Sequence, residues 1–199
     1  MHLDPTSDDV NAYAYLTALV VPRAIAWIGT VDADGTGNLA PHSFFTVASA
    51  DPPIVTFASI GRKDTLRNVL ATGEFTVSVV SRPQLHDANG SSAAFAPEAD
   101  EAVELGIATS PARLVRPPVV ADSPASLECR LHSTVDLGSS VLVLGEVVGI
   151  NVDERVMVDG HPSYDLLAPV ARLGGEEWGL PGEVVTVARP KDPEDVARG

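Results

Sequence analysis

Cysteine is almost missing from this chain: Cys129 stands alone among 199 residues. That excludes an intrachain disulfide and any zinc or iron–sulfur centre built on cysteines. With Leu127 and Leu131 beside it at strand spacing, Cys129 is predicted to be a buried small hydrophobe rather than a nucleophile. Basic residues are also scarce, 13 against 27 acidic ones for a net charge of −14. Neither nucleic acid nor an anionic membrane surface suits such a chain as its main partner. Long apolar runs are lacking too, since Val141 to Leu144 and Val147 to Val148 are far too short to cross a bilayer. The segment Met1-His2-Leu3-Asp4-Pro5 has neither the basic start nor the apolar run of a secretory signal, so a cytoplasmic location is expected.

Several chemical signatures are absent as well. His2, His42, His86, His132 and His161 are scattered without a HisGluXxxXxxHis pair, so no metal site is expected. Ser43 does not sit in a GlyXxxSerXxxGly elbow, which removes local support for a hydrolase. Gly35-Thr36-Gly37 opens no helix and is therefore no dinucleotide fingerprint.

What remains is an ordinary globular composition, 45% hydrophobic and 20% charged, patterned mainly as strands. A helix is predicted after the Ser7 N-cap, carrying Tyr13, Leu16, Leu19 and Val20 and stopped by Pro22. Strands follow at Ile25 to Val31 and, after the Asp32-Ala33-Asp34-Gly35 turn, at Leu39 to Val47, where Pro41 signals an interruption or an edge. Asp51-Pro52-Pro53 precedes a third strand, Ile54 to Ser59. Leu66, Val69 and Leu70 give Asp64 to Thr72 a helical face that ends at Gly73. Phe75 to Val80 is the next strand. Residues 81–118 are expected to form an excursion with one short helix. Leu127 to Val135 and Val141 to Asn151 complete a β-rich region. Many strands with few helices predict a mainly β barrel or sandwich in one domain over 1–190, with a polar tail at 191–199.

The most chemically suggestive stretch is Ser59-Ile60-Gly61-Arg62-Lys63-Asp64-Thr65. There a strand ends, a glycine turns the chain, and a helix begins beside two cations and two hydroxyls. Helix-start N–H groups with Arg62 and Lys63 suit a phosphate, although Asp64 opposes an anion unless it is otherwise occupied. The same residues equally suit a solvated helix start. In Asn38-Leu39-Ala40-Pro41-His42-Ser43-Phe44-Phe45, polar and apolar residues interleave around a proline. Unpaired backbone at such a break can read the edge of a planar heterocycle. Packing is the simpler role for Phe44 and Phe45. Arg23 marks the handover from helix to strand.

Taken in order, these segments resemble the flavin reductase-like family, FMN-binding split barrels that include flavoredoxin-type proteins. The resemblance rests on Leu16-Thr17-Ala18-Leu19-Val20-Val21-Pro22-Arg23, Ala26-Trp27-Ile28, Asn38 through Phe45, Asp51-Pro52-Pro53, and Lys63-Asp64-Thr65 with Asn68. It continues in Thr72-Gly73-Glu74-Phe75, Glu128-Cys129, Leu144-Gly145-Glu146-Val147, and Leu167 through Gly175. It implies a Greek-key split β-barrel with a few peripheral helices, forming a homodimer with FMN at the subunit interface. It also implies that Ser59, Arg62, Lys63 and Thr65 hold the phosphate, and that Asn38, Ala40, Pro41, His42 and Ser43 line the flavin ring. Arg23 would lie near the phosphate or ribityl chain. Arg172, Leu173, Gly174 and Trp178 would approach the flavin from the partner subunit. His42 stands where an aromatic residue is frequent in the family, and Trp178 where tyrosine is common. The implied activity is hydride transfer from NADH or NADPH to the flavin, then electron delivery to a small-molecule or redox-protein acceptor. An electron-transfer flavoprotein reduced by a protein partner is the alternative. His42 and His161 are the candidate catalytic side chains, although His161 after the Asp159-Gly160 turn equally suits a solvated loop.

Overall fold

The computed structural model describes residues 1–96 and 98–192. Helix α1 (Ala12–Leu19) is followed by β1 (Arg23–Ala24), β2 (Ala26–Val31), β3 (Gly37–His42), β4 (Phe45–Ala50) and β5 (Pro53–Ile60). Helix α2 (Asp64–Thr72) leads into β6 (Glu74–Val79), and α3 (Leu85–Gly90) and α4 (Glu101–Leu105) lie in the excursion. Short strands β7 (Thr109–Ser110) and β8 (Val119–Val120) precede the long pair β9 (Ala125–Leu137) and β10 (Ser140–Val152). After β11 (Met157–Val158), β12 (His161–Pro162) and α5 (Tyr164–Leu167) come β13 (Ala171–Arg172) and β14 (Trp178–Gly179).

The main sheet has seven strands in the order β3-β2-β6-β9-β10-β5-β4, each pair antiparallel. Its two edge strands, β3 and β4, are consecutive in the chain and separated only by Ser43 and Phe44. A sheet whose opposite edges are two residues apart must curl until those edges approach at the Ser43-Phe44 link, and since β3 and β4 do not pair the barrel stays split. Pro41 lies on the β3 edge, where its missing N–H costs no ladder hydrogen bond. The break comes two residues later, so the single strand expected from Leu39 to Val47 is two strands on opposite edges.

Inside the barrel, Ala26, Ile28, Phe57, Phe75, Val77, Cys129 and Val143 pack together, and α2 closes one end with Leu66 and Val69. Gly73 takes φ +73° at the end of α2, a left-handed conformation that glycine adopts without steric cost. The Cys129 thiol is pushed up to about 12 by burial, with the Glu128 charge adding to the effect. The opposite face of β2 is also covered: Ile25, Trp27 and Leu39 pack with Val80, Ala88, Ala102 and Val120. The 81–118 excursion, with Val120 just beyond it, therefore supplies an outer layer, and among the described residues it contains two α-helices, where one was expected. Asn89-Gly90 forms the last residues of α3.

Helix α1 starts later than predicted. Asn11 is its cap, its side chain accepting from the Ala14 N–H at 3.0 Å, and Ser7 lies in the preceding turns. Of the expected polar tail, 193–199 lie outside the described residues. No helix among the described residues is long and apolar enough to cross a membrane.

Candidate functional site

The split between β3 and β5 opens into a cleft of about 490 Å³. Its walls include Asn38, Ala40, Pro41, His42 and Ser43 from the β3 edge, and Ala58, Ser59 and Ile60 from β5. Lys63, Asp64 and Thr65, at the start of α2, close one end. The fold thus brings eight of the sequence-predicted residues to one cavity: Asn38, Ala40, Pro41, His42, Ser43, Ser59, Lys63 and Thr65.

A buried polar network supports this surface. Asn38 Nδ2 donates to Thr30 Oγ1 at 3.2 Å and to Thr65 Oγ1 at 3.1 Å. His42 Nε2 sits 3.4 Å from the same Thr65 hydroxyl. The His42 ring packs 4.9 Å from that of Phe57. Burial pushes its pKa down to about 4; interaction with the Ala58 backbone offsets part of this and the Lys63 charge adds to it. His42 is therefore a neutral imidazole near pH 7, suited to hydrogen bonding and not to supplying a full positive charge.

At the helix start, Lys63 is the N-cap residue and its side chain makes no capping bond. Lys63, Asp64 and Thr65 line the cleft at the start of α2, so a cation and a helix N-terminus adjoin the same cavity, an arrangement that favours an anion. Asp64 is occupied elsewhere, because its carboxylate meets the Arg67 guanidinium at 2.6 Å. Arg62 departs from the sequence expectation. Its side chain is 73% exposed and lies 3.7 Å from Asp136, outside the cleft walls. The Gly61 turn (φ +75°) separates Arg62 from the cleft although it adjoins Lys63 in sequence.

Sequence reasoning missed the other wall. Ser91 to Phe95 and Glu101, all in the excursion, line the cleft. Trp27 Nε1 donates to Ser91 Oγ at 2.9 Å and ties this loop to the barrel. Glu101 Oε2 accepts the Leu39 N–H at 2.8 Å. Burial raises the Glu101 pKa, the Leu39 N–H opposes that shift, and Asp100 and Asp64 reinforce it. Tyr13 and Phe44 also line the cleft, with ring centroids 6.4 Å apart.

Arg23, Arg172, Leu173, Gly174 and Trp178 lie outside the main cleft but close to it. Strand β13 pairs with β1 and β14 of the same chain. Arg23 donates to the Thr17, Val20 and Leu173 carbonyls, and Gly174 packs against Ala18. Arg172 and Trp178 line a smaller pocket that shares Pro41, Ser43 and Ser92 with the cleft. His161 is exposed in the β11–β12 hairpin and lines neither cavity, so the structure does not join it to His42. Among the described residues, no three His, Cys, Asp or Glu side chains stand close enough to hold a metal ion.

The profile of the flavin reductase like domain matches residues 18–165. A Deinococcus radiodurans protein named only as uncharacterized is 43% identical over 187 residues, covering 87% of this chain and 82% of that protein. Nitrilotriacetate monooxygenase component B from Bacillus cereus superposes with a TM-score of 0.89 at 27% identity, covering 94% of this chain and 98% of that one. The 2-nitrobenzoate 2-nitroreductase of Pseudomonas fluorescens superposes with a TM-score of 0.88 at 26% identity, covering 96% and 97% respectively.

Proposed function

The chain belongs to the flavin reductase-like domain family of flavin-related oxidoreductases, and on that premise we propose that it is an FMN-binding NAD(P)H-dependent reductase. One observation carries the FMN reading: the unpaired edge of β3 and the N-terminus of α2 open into the same cleft, beside Lys63. A phosphate needs the helix end and the ammonium, while a planar ring system needs an extended edge with small apolar walls. The cleft offers both, so its residues fit the group. Lys63, Thr65 and Ser59 would hold the phosphate. Asn38, Ala40, Pro41, His42 and Ser43 would line the ring, with Thr30 fixing Asn38 from beneath.

Bound FMN would supply hydride acceptance from NADH or NADPH and onward electron transfer to an acceptor. The chain's own residues position and tune. His42 and Thr65 present a neutral hydrogen-bonding pair at the cleft wall. Phe44, Phe95 and Tyr13 would supply aromatic wall that limits water in the cleft. No side chain is required as a nucleophile.

The working form would be a cytoplasmic homodimer. In support of the dimer, α1 exposes Tyr13, Tyr15, Leu16 and Leu19, followed by exposed Val20, and 181–192 exposes Val184, Val185 and Val187. Exposed apolar side chains in this number, with Tyr13 also lining the cleft, suit a second copy of the chain.

The test is an anaerobic absorbance spectrum of FMN-loaded protein before and after NADH, then NADPH. Loss of the flavin band near ~450 nm is expected and identifies the donor. A band that persists with both donors but bleaches with a reduced redox protein would replace the reductase reading with electron transfer. Failure to retain any FMN would remove both.

A further inference from the structure

Arg23 and Arg172 are register partners across β1 and β13, and Arg172 and Trp178 are partners across β13 and β14. Directly paired residues share a face, so these three side chains form one row. Two like charges placed opposite each other destabilise a sheet unless something compensates. Among the described residues, no carboxylate lies within ion-pair distance of either arginine. That is unexpected in a chain with 27 acidic residues against 13 basic.

The two arginines differ in what they have left to offer. Arg23 spends its donors on three backbone carbonyls and sits 3.5 Å from Ser43 Oγ. It is held in place, and burial followed by the Arg172 charge lowers its pKa. Among the described residues, the Arg172 side chain makes one hydrogen bond, to the Gly175 carbonyl at 2.7 Å, and its guanidinium lies 5.0 Å from the Trp178 ring centroid. Arg172 lines a pocket of about 190 Å³. Asn89, Ser43 and Ser92 are its polar lining residues, while Pro41 and Ile25 add apolar wall.

We propose that this pocket binds the carboxylate of an aromatic ligand, with Arg172 as the anion contact and Trp178 and Pro41 bounding the ring. Guanidinium matches a carboxylate through paired donors, and Arg23 behind it deepens the positive potential. The pocket is smaller than the roughly 300 Å³ from which drug-sized ligand sites begin, which favours a single substituted ring over a dinucleotide. That such a ligand would lie beside bound flavin rests on the FMN reading above; the anion site itself does not.

The test is calorimetric titration of FMN-loaded protein with benzoate and with benzamide, its uncharged analogue. Wild-type protein is expected to prefer benzoate by about tenfold or more, as charge-assisted hydrogen bonds allow. In Arg172→Gln the preference should vanish, and Arg172→Lys should restore only part of it. Equal affinity for the two probes in wild-type protein overturns the proposal even if the variants do not fold. So does Arg172-dependent binding of ADP-ribose with no benzoate binding, which would assign the charge to a dinucleotide phosphate. FMN retention is measured separately by quenching of free flavin fluorescence. If FMN is not retained but apo protein still prefers benzoate through Arg172, the flavin reading fails and the anion pocket stands.

Discussion

Glu101 reaches from the start of α4 to the β3 edge, where its carboxylate accepts the Leu39 N–H at 2.8 Å. The contact joins the outer layer to the edge strand that lines the cleft, and it places a carboxylate only 6% exposed in the cleft wall. Replacing Glu101 by Gln keeps an acceptor for Leu39 and removes the charge. Because burial raises the folded pKa, the unfolded chain ionises first as pH rises. Wild-type stability should therefore fall through that interval and level off once folded Glu101 has ionised. E101Q should lack this fall, gaining on wild type with rising pH and binding FMN a few-fold more tightly through weaker anion repulsion. Urea unfolding from pH 4 to 8 checks this; a difference independent of pH would show that the carboxylate is not its source.

Lys63 and Arg62 adjoin in sequence but have separate surroundings. Lys63→Ala should weaken FMN by about 10- to 100-fold, the range of one charge-assisted contact. Riboflavin, which lacks the phosphate, should be affected little. Arg62→Ala should change FMN affinity less than about threefold, because an exposed pair such as Arg62–Asp136 is worth little. Equal losses of FMN and riboflavin in Lys63→Ala would remove the phosphate assignment.

His42 gives the opposite pH dependence to Glu101. Its folded pKa of about 4 lies below the ordinary histidine value of 6.5. Its stabilising contribution is complete above that ordinary value. As pH falls from 6.5 to about 4, the unfolded state takes up a proton that the folded state refuses, and stability declines. His42→Asn should flatten this segment of the stability profile. Titration of the His42 ring by NMR with a midpoint near 6.5 would contradict the assignment.

Gly145 lies on β10 against Phe75, and a Cβ there would meet Phe75 Cζ at 2.2 Å. Phe75 is fully buried and packs edge-on against Phe57 at 5.6 Å, so it has little room to yield. Gly145→Ala should cost roughly 2–3 kcal/mol, as overpacked cores do. In a domain of this size that is a fall of about 5–10 °C in Tm. The double variant with Phe75→Leu should recover part of the loss, because the two positions share one contact. Additive losses in thermal melts would rule the clash out.

The sequence by itself determined the elements whose causes are local. Helix α2 was legible because Leu66, Val69 and Gly73 lie within a few residues of one another and each has an intrinsic role there. The β9–β10 region was legible from apolar residues at strand spacing, Leu127, Cys129 and Leu131 in β9 and Val141 and Val143 in β10, and the β3 half of the cleft from a proline among alternating residues. Only the tertiary structure decided the rest. The cleft's second wall depends on Trp27 with Ser91 and on Leu39 with Glu101, pairs separated by 64 and 62 residues. Arg62 is turned from the cleft toward Asp136 by the Gly61 turn and the β9–β10 hairpin. Arg23 and Arg172 face each other across 149 positions of sequence, as strand pairing requires. Propensity and spacing act over a few residues, whereas burial and strand register are settled by which distant segments meet when the sheet curls closed.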